Sequence, residues 1–257
     1  MKKVVFLRVG IDKGCGGILS PIFEDGTFEL LWIPEGCNKN KGEHLSREIN
    51  KTYSNYIGRH GKPLIEYFPE GRRKENYKNR IMHMDPEFRT FTYGDPTPRK
   101  STLTKLNKGD YLIFYAGFQP WNRSNEESGL YIVGYFVIDK SVNVNNINKY
   151  ETIKKEFGEN FHVKNKKIFL SNVQNSRNNG LKLVKGGKGS RLLRTAYKMS
   201  VKEKYGKINK PSDLLDPKLE KYFGNFNGKR SFVRNPLRWI KDEKQSEKAI
   251  KFIESLE

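Results

Sequence analysis

Two runs of the chain have the composition of β-strands and little else. "YLIFYAGF" (Tyr111–Phe118) and "GLYIVGYFVID" (Gly129–Asp139) are rich in aromatic and β-branched residues, the types that fit a pleated, half-buried surface. Lys108-Gly109-Asp110 is a turn into the first of them. Side chains alternate along a strand, which puts Tyr111 with Tyr115 on one face and Tyr131 with Tyr135 on one face. If the two strands pair, their tyrosines form one aromatic surface, either ordinary core or a platform for a base. Tyr115 and Tyr131 are the candidate stacking residues.

The rest of the chain supplies further strands and separate helices. Val4–Val9 reads as a buried strand, and Asp25-Gly26 as a hairpin turn into Leu30–Ile33. Residues 36–62 are polar, with a short helix expected near Leu45–Tyr53, and residues 63–69 read as a strand. Gly71–Lys100 is a long charged segment whose aromatic residues argue against disorder. A helix is expected over Tyr150–Phe157. Lys167–Val173 and Leu181–Val184 read as strands joined at Asn178-Asn179-Gly180. Ser190 is placed to cap a helix carrying Leu192, Leu193, Ala196 and Met199, and a last helix covers Lys241–Glu257. Hairpins mixed with separate helices predict an α+β fold. Its centre would be a curved mixed or antiparallel sheet or partial barrel with flanking helices. One domain over residues 1–257 is expected, with a sheet-rich sub-lobe to residue 140 and a basic one from 141.

Charge narrows the choice of partner. The 257 residues carry 49 Lys and Arg against 29 Asp and Glu, a formal charge of +20. Between Lys185 and Lys241 there are 16 basic residues and 4 acids, so the excess lies late in the chain. Such a balance favours polyanions, nucleic acid first, although Lys-rich chains also arise from compositional bias. No run approaches the roughly 18 apolar residues of a membrane span. The N-terminus reads as a strand rather than a signal peptide, so a cytoplasmic protein is expected. Cys15 and Cys37 are too few for a disulfide framework or a zinc set, and nothing near Cys15 in sequence activates it.

Four stretches carry candidate chemistry. "LRVGIDKGCGGILSPIF" concentrates Gly10, Gly14, Gly16 and Gly17 around Asp12. It is not a dinucleotide fingerprint, because that motif needs a helix after its glycines, and Ile18-Leu19-Ser20-Pro21 follows here. The loop is either a tight strand crossover or the wall of an anion site, with Gly14, Gly16 and Gly17 in contact with ligand. Asp12 would be a carboxylate for ribose, base or metal. "GGKGSRLLR" lacks the Ser or Thr that a P-loop has after its lysine. It would offer phosphate a helix N-terminus at Ser190 with Lys188 and Arg191 beside it. In the central segment, His83 and Asp85 point to one side of an extended chain. With Glu66 or Glu87 they would hold a divalent metal or form an acid–base pair, and a plain hydrogen-bonded pair is the bland alternative. Arg59 would hold a phosphate or polarised carbonyl. "KRSFVRNPLRW" gathers Arg230, Arg234 and Arg238 beside Trp239, which suits phosphate or base contact.

Taken together, "LRVGIDKGCGG", "PIFEDGTFE", "GRHGKPLIEYFP", "HMDPEFRTFTYGDPTPRK", "GDYLIFYAGF", "GLYIVGYF", "GSRLLRTA" and "NPLRWI" resemble the nucleotide-modification-associated domain families, the third type of that series. The likeness runs through nearly the whole chain. It implies an association with systems that modify bases in DNA or RNA, and it brings no agreed catalytic residues. Lys108–Asp139 alone is similar to the core strands of PUA-like modules, which hold RNA or a modified base in an aromatic pocket.

The reading that follows is a protein of base recognition coupled to modification, with DNA, tRNA or a nucleotide as partner and no cofactor assigned. Asp12 or Asp85 would be the general base or metal carboxylate, and His83 the proton shuttle. A non-catalytic reader of modified bases is one alternative. Another is a metal-dependent nuclease using Asp85, Glu87 and Asp95.

Overall fold

The two aromatic runs are the centre of the molecule: β6 (Tyr111–Pro120) and β7 (Gly129–Val144) pair antiparallel over most of the length of β6. The structure, a computed structural model, describes residues 1–35, 51–122, 127–175, 179–204, 211–226, 232 and 237–257. The helix expected near Leu45–Tyr53 lies largely outside them, as do Cys37, Asn178, Arg230 and Arg234.

Around the central pair an open, mixed, eight-stranded sheet is assembled. β1 (Val4–Arg8) runs parallel to β6 and is flanked by antiparallel β12 (Arg238–Ile240). β7 is long enough to serve two partners on its other side. Its first half pairs with β9 (Arg191–Lys198), and its second half with β8 (Leu181–Gly186), which then carries β5 (Thr92–Asp95). β2 (Ser20–Ile22) pairs in parallel with the end of β6. A two-stranded ribbon, β3 (Ile33–Pro34) with β4 (Met82–His83), stands apart from the sheet. So does the hairpin of β10 (Ser200–Lys204) and β11 (Pro211–Leu215). The α+β expectation is met.

Alternation sends the strand residues into two cores. Val5, Leu7, Leu112, Phe114 and Phe118 fill one face with Phe28, Leu103 and Leu106. Val4, Phe6, Ile113 and Tyr115 fill the other, under α4 (Glu220–Phe223) and α5 (Glu243–Glu254). α5 is capped by Asp242, whose side chain accepts the Gln245 N–H at 2.8 Å, and it buries Ala249, Ile250 and Ile253. α1 (Arg72–Tyr77) buries no residue. α2 (Tyr150–Phe157) and α3 (Lys166–Gln174) cover the outer part of β7 and β8.

Four sequence expectations are corrected. Tyr131 and Tyr135 lie on opposite faces, because β7 changes register between Ile132 and Gly134. A Cβ on Gly134 would stand 2.6 Å from the Arg191 carbonyl oxygen and 2.9 Å from the Phe88 ring, so glycine is needed where the β9 backbone comes close. Residues 191–198 form a strand and not a helix. Leu192 and Leu193 go to different cores, the period of two overriding an apparent helical stripe. Lys167–Val173 is helical, with Asn165 as N-cap and Phe169 and Val173 buried one turn apart. Leu64–Tyr67 is a 3-10 turn rather than a strand.

Candidate functional site

The glycine-rich loop is a detour between two strands that pair with the same edge of β6. Arg8, the last residue of β1, is in register with Tyr115, and Ser20, the first of β2, with Phe118. Residues 9–19 therefore leave that edge and return only three positions further along it. A turn that abrupt needs backbone that ordinary residues rarely adopt. Gly10, Gly16 and Gly17 have φ of 72°, 102° and 72°. Asp12 braces the loop: its Oδ1 accepts the Cys15 N–H at 2.8 Å, and its carbonyl accepts from Cys15 and Gly17. Arg73 closes the far side by donating to the Gly17 carbonyl at 3.0 Å. Cys15 carries no free thiol.

Beneath the detour lies a cavity of about 290 Å³ at the carboxyl ends of the parallel strands β1 and β6. Arg8, Asp12, Lys13 and Gly14 come from the first strand and its loop, Gly117 and Gly129 from β6 and β7, and Lys202 and Asp213 from the late hairpin. Lys202 pairs with Asp213 at 2.8 Å, and Asp213 also accepts the Ser200 hydroxyl. Arg8 is different. Its Nε is buried and has no hydrogen-bond partner among the described residues, an arrangement that calls for an explanation in a folded protein. Early glycines and a late lysine thus meet at one hollow.

A second constellation gathers around the central motif. His83 ends β4, which is held against β3 by the Ile33–His83 pairing. Its Nδ1 faces Glu35 Oε2 at 3.1 Å and its Nε2 faces His162 Nε2 at 3.1 Å. His162 Nε2 is 3.6 Å from Asp85 Oδ2, and His162 Nδ1 is 2.9 Å from the Asn172 side-chain amide. Asp85 accepts the Gly94 N–H at 2.8 Å and the Asn160 amide at 3.4 Å. Asp85, Asn160 and His162 are buried, and His83 keeps about a quarter of its side chain exposed. Burial pushes the Asp85 carboxyl well above the usual carboxylate range. Burial, and then the neighbouring His83, pushes His162 well below the usual histidine range. Lys164 is also lowered, chiefly by burial. Among the described residues, His83, Asp85 and His162 form the group whose donor atoms are close enough to share an ion, all within 4.8 Å.

Glu87 caps its own turn, accepting from the Arg89 and Thr90 amides, and Asp95 does the same for Thr97. Both carboxylates lie near enough to Asp85 to push its carboxyl further up, Asp95 more than Glu87. Glu66 is exposed and paired with Lys74. Arg59 bridges to β9, donating to the carbonyls of Leu193 and Arg194 with its guanidinium 4.9 Å over Phe28. The Ser190 hydroxyl is hydrogen-bonded to the backbone of Val137. With no helix beginning there, Lys188 and Arg191 lose the N-terminus that would have held phosphate, and Arg191 lies 5.7 Å over the Tyr135 ring. Tyr115 packs on Phe232 and Tyr131 on Phe118, in opposite cores. Arg238 is buried in β12, in register with Phe6.

Sequence reasoning missed His162 and Arg8. His162 is one of only four histidines in the chain, and that scarcity was the available signal. Arg8 follows four residues of buried strand in "VVFLR", where a guanidinium on a core face already asks for a partner.

No curated protein and no solved structure matches the chain. Among the described residues, no helix is long and apolar enough to cross a membrane. The family model described as nucleotide modification associated domain 3 matches residues 3–253, and the chain belongs to that family.

Proposed function

We propose that the protein binds a nucleotide, free or within a nucleic acid, in the hollow under residues 9–19, as one step of base modification. The observation that carries this is Arg8, whose Nε is buried without a partner among the described residues at the wall of a glycine-floored cavity. A guanidinium fork matches the oxygens of phosphate, and Lys13 on the rim adds a second cation. Lys202 is already neutralised by Asp213, so it contributes less.

At about 290 Å³ the cavity lies near the lower end of small-molecule sites, roughly 300–1,000 Å³. That suits one nucleotide rather than a folded partner. Gly14, Gly117 and Gly129 line it, so backbone rather than side chains can meet a flat base. Asp12 is the acceptor for a ribose hydroxyl or a base N–H, and the carboxylate for proton transfer at the ligand. The family's association with nucleotide modification agrees with this reading.

Calorimetric titration with the four nucleoside 5′-monophosphates and with short single-stranded oligonucleotides tests it. Saturable one-site binding is expected, with Arg8→Gln weakening it by about tenfold or more, about 1.4 kcal/mol. Absence of binding by every probe, or equal affinity of the variant, overturns the reading. Coupling to modification is tested by nucleoside mass spectrometry of DNA and tRNA from cells with and without the gene. An identical profile removes that part.

A further inference from the structure

We infer that His83, His162 and Asp85 form a site for one divalent transition-metal ion, with zinc and iron(II) as the ions its donor set fits. The donors are two imidazole nitrogens and one carboxylate, the set used by catalytic zinc sites and by non-haem iron(II) sites that keep a coordination position open.

The distances suit an ion. Nitrogens bound to tetrahedral zinc at about 2.0–2.1 Å stand about 3.3–3.4 Å from one another. His83 Nε2 and His162 Nε2 are 3.1 Å apart, and His162 Nε2 and Asp85 Oδ2 are 3.6 Å apart. All three donors lie within 4.8 Å.

The surroundings fix which nitrogen is available. Glu35 Oε2 stands 3.1 Å from His83 Nδ1, so Nδ1–H donates to the carboxylate and the lone pair is left on Nε2. Carboxylate behind imidazole is the usual support of a metal-bound histidine. His162 Nδ1 lies 2.9 Å from the Asn172 amide. With that amide turned to present its oxygen, an orientation the hydrogen-bond network decides, Nδ1–H donates and Nε2 again carries the lone pair. In that orientation two lone pairs face each other across 3.1 Å, which a cation between them relieves; with the Asn172 nitrogen toward Nδ1 instead, a proton on His162 Nε2 bridges the pair in the metal-free protein. The Gly94 N–H and the Asn160 amide orient Asp85 from behind. Exposure on the His83 side leaves room for a water or a substrate atom as a further ligand.

The site is independent of the nucleotide cavity, whose lining contains none of these residues. Its test uses the full chain with no affinity tag, stripped with chelator and titrated with Co²⁺, Zn²⁺ and, anaerobically, Fe²⁺. One equivalent per chain is expected, Co²⁺ giving visible ligand-field bands that Zn²⁺ abolishes. Mg²⁺ should not compete. Plasma mass spectrometry of the protein as isolated distinguishes zinc from iron. His83→Ala, at the partly exposed ligand, should weaken Co²⁺ binding by more than about 100-fold. Glu35→Gln should weaken it by about 10- to 100-fold, and His60→Ala should leave it unchanged. A wild-type protein with no visible Co²⁺ band, or binding that survives His83→Ala intact, overturns the assignment. Neither outcome depends on whether the buried variants fold.

Discussion

Gly94 donates its backbone N–H to Oδ2 of Asp85 across 2.8 Å, tying β5 to the carboxylate of the histidine cluster. A Cβ on Gly94 would fall 2.8 Å from both the Asn160 side-chain oxygen and the His162 ring, and 3.1 Å from Leu183. All three neighbours are buried, so they have little room to retreat. Gly94→Ala should therefore destabilise the fold by about 1–3 kcal/mol, the usual range for overpacking. The expected signal is a lower urea midpoint at unchanged slope. An unchanged midpoint counts against the close packing described.

Asp110 holds the entry to the central strand. Its two carboxylate oxygens accept the Lys3 N–H at 2.8 Å and the Asn107 N–H at 2.7 Å, and the residue is buried. Asp110→Ala leaves both amides without that acceptor, at about 1–3 kcal/mol for an unsatisfied buried group. Thermal unfolding should show a clear drop in Tm, and Asp110→Asn should recover part of it.

Ser190 separates the two phosphate-site ideas. Its hydroxyl accepts the Val137 N–H at 3.0 Å, so Ser190→Ala should cost about 1 kcal/mol of stability. Nucleotide affinity should stay as in the wild type. A variant that folds normally and no longer binds nucleotide would return the site to the turn before β9.

Asp25 gives a pH signature on the surface. Hydrogen bonds from the Thr27 hydroxyl and then the Thr27 amide hold its carboxyl below the ordinary 3.8. Because the folded value is the lower one, its contribution is complete above the unfolded value and is lost as pH falls through the folded one. NMR titration should place Asp25 below 3.8 and show a rise in Thr27→Ala. A wild-type value at or above that figure contradicts the bonding.

Much of the sheet was legible because strand residues announce themselves. The runs that became β1, β6 and β7 are apolar, aromatic and bounded by Gly-Asp or polar stretches. β9 was not, since "RLLRTAYK" satisfies a helical stripe as well as a strand, and only pairing with β7 decides between them. The face of Tyr131 depended on a register change that close approach at Gly134 imposes, which no local pattern encodes. In the sites, Asp12 and Gly14 were legible together because one loop supplies both, whereas Lys202 joins them only through the tertiary fold. His83 and Asp85 are two residues apart in sequence, whereas His162 reaches them only through the tertiary fold.

Because β1 and β2 both lie on one edge of β6, the chain between them is anchored at each end by a separate ladder. Lengthening or shortening its apex shifts neither strand along its partner. The loop over residues 9–19 can consequently change in length while the eight-stranded scaffold keeps its alignment.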